Sequence, residues 1–362
     1  MNESTTAPAP ERAPQPAVDD RRSAPLWRTL LSNRAAVNVA GIAVMVVIFA
    51  SLQPNFLTTA NLQTLLSSIT ILWVLALGLT FVLLLGGFDL SVGSNLALSG
   101  IALGWLFTSF DLPMVMVIVL TILFGALLGG GVNGFLIGRM QASFMVVTLG
   151  TLTLFRGLVN LASDTKTQPV TSELLDNLAF GKVAGIPITL ILMVVTLLIA
   201  WYVLRFTYFG RDVYAVGGNA KAARLAGIRV SRTTVIVYAI AGGAAALGGV
   251  IQVARLGAAS PLVGETIMFD AAAAVLLGGT SLRGGSGGVG GTAVGVVFLG
   301  VLSNGLAVSG VQSFWQQILS GCILASAAVA DKIQRDGWRS LEFRLPGALA
   351  RSGGRARADT SG

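Results

Sequence analysis

Histidine is absent from the 362-residue chain, and cysteine occurs once, as Cys322. Without imidazole there is no His-ligated zinc site and no Ser-His or Cys-His nucleophile pair, and a single thiol closes no disulfide within the chain. Lysine is confined to Lys166, Lys182, Lys221 and Lys332, none in the Gly-Lys-Ser/Thr context of a phosphate-binding loop, so ATP hydrolysis by that device is excluded too. Charge is scarce: Asp, Glu, Lys and Arg make up 11% of residues, against about 25% in a soluble domain. That is too little to coat a body surrounded by water.

What the chain has instead is 54% hydrophobic residues, 45 glycines and a mean hydropathy of +0.79. Apolar, glycine-rich composition fits helices packed in a bilayer. Apolar runs lie near residues 35–52, 62–85, 92–109, 112–138, 143–162, 186–206, 233–254, 270–283, 288–309 and 314–331, the eighth being short. Since ~30 Å of hydrocarbon takes about 20 helical residues, the expected fold is an all-α polytopic integral membrane protein with about ten transmembrane helices. The first run follows a long N-terminal stretch and is read as a retained span, not a cleaved signal.

Residues 1–34 carry Pro8, Pro10, Pro14, Pro16 and Pro25 among Ala, Ser and mixed charge, a composition that cannot bury a core. They are expected to form a disordered cytoplasmic tail, with 35–331 the transmembrane domain and 332–362 a basic cytoplasmic tail. Placing both termini inside puts the basic residues of the two tails, the turns at Arg139 and Arg283 and the 205–232 loop on the cytoplasmic side. Lys166, Lys182 and Arg255 fall in expected outer loops, and Arg156 lies near the outer end of its span. This placement accounts for the net charge of +8 without a nucleic-acid partner.

Polar residues interrupt the apolar pattern at a few places. Gly86-Gly87-Phe88-Asp89-Leu90-Ser91-Val92-Gly93-Ser94-Asn95 reads as a helix break, tolerated at membrane depth only inside protein or along a wet cavity. Asp89 is either the N-cap of the next helix or a carboxylate on a polar route. Asp270, opening the short eighth run, has the same two readings. Trp73, Asn95, Asn133, Asn304 and Gln317 either bond between helices or line a path. Leu84-Leu85-Gly86-Gly87-Phe88-Asp89-Leu90 is echoed by Leu276-Leu277-Gly278-Gly279-Thr280-Ser281-Leu282.

The cytoplasmic stretch 207–232 contains a two-turn helix. Asn219 suits its N-cap, residues 220–226 its body and Gly227 its C′ position. So short a helix is unstable alone, and its apolar positions Ala222, Leu225 and Ala226 must dock on a partner or fold back on the bundle. The longest outer loop, Ser163 to Gly185, is too small for a ligand-binding domain.

Four ordered segments resemble the membrane-spanning permease subunits of ribose-, xylose- and autoinducer-2-type ABC importers over roughly residues 35–331. They are Gly86 to Ser94, Ser143-Phe144-Met145-Val146-Val147-Thr148-Leu149-Gly150, the loop Phe209 to Ile228, and Gly278-Gly279-Thr280-Ser281-Leu282-Arg283-Gly284-Gly285. The resemblance implies a non-catalytic pore subunit for a monosaccharide, without a cofactor. It also implies ABC ATPase subunits on the cytoplasmic face, an extracytoplasmic sugar-binding protein and a second permease chain, identical or paralogous. Gly217, Asn219, Ala222, Ala223, Arg224, Leu225 and Gly227 would couple to the ATPase. Trp73, Asp89, Ser91, Asn95, Asn133, Asp270 and Asn304 would line the pathway. The chain departs from the pattern at Met268-Phe269-Asp270, where many relatives have Glu-Leu-Asp, and at Ala142, where they often have Pro. The alternative is an ion-coupled secondary transporter, for which Asp89 and Asp270 are the titratable candidates.

Overall fold

The computed structural model describes residues 34–336. The expected N-terminal tail and most of the basic C-terminal tail lie outside the described residues. The helices are α1 (Arg34–Leu52), α2 (Thr59–Leu84), α3 (Val92–Ser109), α4 (Met114–Leu127), α5 (Phe135–Gly138), α6 (Phe144–Ser163) and α7 (Glu173–Phe180). They continue as α8 (Ile188–Phe206), α9 (Tyr208–Gly218), α10 (Ala220–Leu225), α11 (Val230–Leu256), α12 (Ile267–Leu277), α13 (Val289–Val308) and α14 (Ser313–Asp336). A π-helical stretch, Leu128–Gly134, joins α4 to α5. Short strands pair antiparallel: β1 (Gln168–Pro169) with β4 (Ala258–Ala259), and β2 (Lys182–Val183) with β3 (Ile186–Pro187).

Among the described residues, eight helices are long and apolar enough to cross a membrane, with α4 through α5 counted as one. Val37–Leu52 of α1 and all of α12 are apolar but shorter. These ten elements fall on the ten apolar runs of the sequence. The short eighth run contains α12, a helix of 11 residues and thus about 16 Å, half a hydrocarbon core. It begins before Asp270, not at it: Thr266 holds the cap position and Asp270 sits in the first turn, where a carboxylate still complements the helix dipole. Likewise α11 continues past the expected end of its run to Leu256, so Arg255 lies in its last turn and not in a loop. At the other end of the chain, α14 stays helical through Lys332 to Asp336.

α2 and α11 form the centre. The apolar window of α2 is 89% buried, as expected of a helix hydrophobic all round and wrapped by protein. α11 packs on α2, α3, α4 and the π-helical stretch. Backbones meet there because side chains are missing: a Cβ on Gly125 would lie 2.7 Å from the Gly242 carbonyl. Outside this centre, α6 and α8 bury only 22% of their windows and α14 only 6%, leaving apolar flanks for lipid.

The two echoed segments end helices α2 and α12 in the same way, offset by one residue. Gly86 (φ +83°) follows α2, with Gly86 N–H bonded to Leu83 O at 2.9 Å and Gly87 N–H to Val82 O at 3.0 Å. After α12 the left-handed residue is Gly279 (φ +88°), with Gly279 N–H on Leu276 O at 2.9 Å and Thr280 N–H on Val275 O at 3.2 Å. Both are glycine-terminated Schellman ends. The last carbonyl of α12, on Leu277, accepts from Asn38 Nδ2 of α1 at 2.9 Å.

Candidate functional site

At the end of the bundle where α2 begins and α11 stops lies a cavity of about 330 Å³. α12 supplies Asp270 to its wall, α11 supplies Gln252 and Arg255, and α13 supplies Ser303 and Asn304. Thr64 and Ser68 of α2 and Gln316 and Ser320 of α14 complete the polar lining. Asn304 is fixed by a reciprocal amide pair with Asn61, at 2.9 and 3.0 Å. Gln316 is held by Val311 O at 3.0 Å and accepts from Ser303 at 3.3 Å. Neutral amides and hydroxyls thus surround one acid and one base, a lining that can exchange hydrogen bonds with a hydroxylated solute.

Of the residues singled out from sequence, Asp270 and Asn304 reach this cavity. Gln316 faces it, whereas its neighbour Gln317 is exposed. The signal for the remainder was spacing: Gln252 and Arg255 are three apart, and Thr64/Ser68 and Gln316/Ser320 four apart, each pair on one helix face.

Asp89, Ser91 and Asn133 come together elsewhere, in a buried knot beneath the break between α2 and α3. Asp89 Oδ1 accepts from Ser91 N–H at 2.9 Å and from Ser91 Oγ at 2.6 Å, with Asn133 Nδ2 at 3.5 Å. Asp89 therefore closes an Asx turn ahead of the helix, and Ser91 takes the cap position. Asn133, in the π-helical stretch, donates to Ser91 Oγ at 2.8 Å, while its own Oδ1 is buried without a partner. Asn95 bonds to Gly125 O at 3.2 Å and accepts from Ser99 at 3.1 Å. Trp73 ties α2 to α8 through Nε1–H to Met193 O at 3.1 Å.

The opposite end of the bundle carries α9 and α10. α9 is an additional helix ahead of the expected one, capped by Thr207 accepting from Gly210 N–H at 3.1 Å. Asn219 caps α10, its Oδ1 accepting from the amides of Lys221 and Ala222 at 3.0 Å. Gly227 (φ +86°) closes it, with Ile228 N–H on Ala223 O at 3.0 Å. Ala223 packs with Val216 and Val230, holding the helix on the bundle. Ala222, Arg224 and Ala226 are exposed, and Leu225 is 90% exposed. Arg224 reaches Gln141 at 3.4 Å.

Gly217 turns inward. The end of α9 lies against the two glycine breaks, where Gly285 N–H donates to Leu84 O at 2.9 Å. A Cβ on Gly217 would collide with Leu84 O and lie 2.7 Å from Gly285 N. Tyr214 Oη donates to Gly287 O at 3.0 Å. Burial raises the pKa of this phenol, with Arg205 pulling it the other way, so the donor stays protonated at neutral pH. The end of α9, next to the exposed helix α10, is therefore joined through backbone contacts to the glycine breaks that follow α2 and α12.

Comparison with known proteins agrees with this arrangement. Ribose import permease proteins are similar to the chain: that of Bacillus subtilis is 42% identical over 300 residues, covering 81% of this chain and 91% of the relative. That of Haemophilus influenzae is 36% identical over 312 residues, covering 84% and 94%. The L-arabinose ABC transporter permease protein of Azospirillum brasilense is 33% identical over 349 residues, covering 95% and 99%. No solved structure matches the chain. Residues 61–328 match the family described as branched-chain amino acid transport system / permease component. The chain belongs to that family and is a multi-pass membrane permease subunit of an ABC importer.

Proposed function

We propose that the chain forms the translocation pathway for a monosaccharide, a pentose or related sugar, in a binding-protein-dependent importer of the inner membrane. The polar cavity carries this reading. It lies at the end opposite the exposed helix α10, its hydroxyl and amide lining suits a polyol, and the relatives named above handle ribose and arabinose. None of those relatives is named as an ion-coupled carrier, which leaves the alternative of a secondary transporter without support.

In this proposal the chain crosses the membrane ten times, with residues 35–331 as the permease domain and both termini cytoplasmic. The distribution of Arg and Lys toward the α9–α10 end supports that orientation. α12 makes half a crossing as helix. The glycine-rich segment after it makes the rest, from the cavity near Asp270 to Gly285 beside Leu84. ATP hydrolysis belongs to separate ATPase subunits that seat on the exposed face of α10, through Ala222, Arg224 and Leu225. A soluble binding protein delivers the sugar to the cavity end, and a second permease chain completes the pore. Asp270 and Asn304 touch the sugar, joined by Arg255, Gln252 and Gln316. Asp89, Ser91 and Asn133 hold the break that separates pathway from coupling helices.

The test is reconstitution of the purified complex in proteoliposomes, with uptake of labelled pentoses and hexoses measured with and without ATP and binding protein. Uptake that requires both establishes the reading and identifies the sugar. Uptake driven by an ion gradient, with no ATPase subunit in the complex, would overturn it.

A further inference from the structure

One face of α11 lines two grooves that lie end to end. At its start, Arg229, Arg232, Thr233 and Ile236 border a groove of about 470 Å³ together with Tyr208 and Asp212 of α9. Further along, Ile240, Ala244 and Leu247 wall a second groove of about 230 Å³. Steps of three and four residues place the six α11 positions from Arg232 to Leu247 on one stripe, with Arg229 just ahead of the helix. Opposite the second groove stand Thr196, Ile199 and Val203 of α8, with Leu77 and Phe81 of α2 as its floor.

The chemistry changes along the stripe. The second groove is apolar except for Thr196. The first has two guanidinium groups facing one carboxylate, Asp212. Among the described residues neither the Arg229 nor the Arg232 guanidinium is ion-paired or hydrogen-bonded. Arg211 lies beside this groove, stacked 4.3 Å from the Tyr208 ring centroid. Phe206 and Tyr208 are exposed beside the arginine groove, as aromatic side chains are where hydrocarbon meets headgroups. From Ile240 to Leu247 the helix rises about 10 Å, some two-thirds of one leaflet's hydrocarbon. An apolar trench of about 10 Å ending in arginines without an ion pair has the charge for a phospholipid headgroup and the length for the upper part of an acyl chain.

We infer that the cleft between α8 and α11 holds one anionic phospholipid, an acyl chain in the trench and the phosphate against Arg229 and Arg232. The trench distinguishes this ligand from free phosphate, which would use the arginines alone. It also distinguishes it from a protein partner: although Ala226 and Gly227 at the end of α10 border the arginine groove, Leu225 borders neither groove, and the trench runs along α8, which leaves an apolar flank for lipid.

The experiment is native mass spectrometry of the full-length protein released from nanodiscs of equal phosphatidylglycerol and phosphatidylcholine. Wild type should retain phosphatidylglycerol in preference to phosphatidylcholine. The double variant R229Q/R232Q should lose at least about tenfold of that retention, as expected for two cations at a headgroup. I199W, a bulky change at an exposed trench residue, should also lower it with the arginines intact. Equal retention of the two lipids by wild type would overturn the inference. So would displacement of phosphatidylglycerol by millimolar inorganic phosphate, which marks a simple anion site. Unchanged lipid retention in R229Q/R232Q with loss of the ATPase subunit from the purified complex would also overturn it, by giving the groove to that subunit.

Discussion

The amide of Gly285 donates to the carbonyl of Leu84 at 2.9 Å, joining the glycine-rich segment after α12 to the last turn of α2 at the spot where Gly217 of α9 presses in. Three chain segments far apart in sequence share this seam, and no side chain stands between them. A Cβ at 217 has no room there, whereas one on the neighbouring Gly218 meets nothing within 4 Å. Gly217→Ala is expected to wedge the seam at a cost of about 1–3 kcal/mol and to lower ATP-driven uptake severalfold or more. Gly218→Ala serves as the matched control and should transport like wild type. Equal uptake by the two variants in proteoliposomes would remove the seam from the coupling route.

A second prediction concerns the cavity. Asp270→Asn keeps size and Arg255→Gln leaves a shorter neutral amide, and both remove charge. Each should cut uptake roughly ten- to a hundredfold, the scale of one charge-assisted hydrogen bond at ~1.5–3 kcal/mol. ATPase association should be unchanged. Normal uptake in both would show that the sugar passes elsewhere.

The coupling face gives a third. Leu225→Asp alters a side chain that is 90% exposed, so insertion and folding should be preserved. Retention of the ATPase subunit through purification should fall sharply. Asn219→Ala, which removes the acceptor for two amides of α10, should weaken the same association by the ~1 kcal/mol of a lost cap. Retention of the ATPase by Leu225→Asp at the wild-type level would rule out this face as the docking site.

Asp89 offers a fourth. Asn at this position keeps an acceptor for the Ser91 amide and closes the same turn, so Asp89→Asn should fold with nearly the wild-type melting temperature in detergent. Asp89→Ala leaves the Ser91 amide and hydroxyl buried without their acceptor and should cost about 1–3 kcal/mol. Equal melting temperatures for the two variants would separate Asp89 from the stability of the break.

Much of the fold could be read from the chain because membrane spans declare themselves by length and apolarity, and every expected run contains a helix. Boundaries were harder. Nothing in an apolar alphabet says that a helix starts at Ile267 instead of Asp270, since the decision rests on packing against α13 and α14. Asn219 and Gly227 were legible as caps because capping is local chemistry. The cavity was only half legible. Asp270 stands out by its charge, but neither Arg255, close to the end of its apolar run, nor Gln252 carries a local signal, because convergence of five helices is a property of tertiary packing. Asp89 and Asn304 looked alike from sequence as polar residues among spans, and they occupy different sites, one in a sealed knot and one on the cavity wall.

The bond from Asn38 to the carbonyl of Leu277 spans 239 positions of sequence. During synthesis, the C-terminal end of α12 therefore meets its partner only after most of the chain has emerged. α12 is too short to enter the bilayer as an independent span, and it is held by packing on α2, α13 and α14 and by the bond from Asn38 of α1 to its last carbonyl. Assembly of this protein must then finish where it began, with the first helix waiting in the membrane to receive one of the last. Truncations that remove α1 should consequently spoil the distant 267–285 segment before they disturb the helices next to the cut.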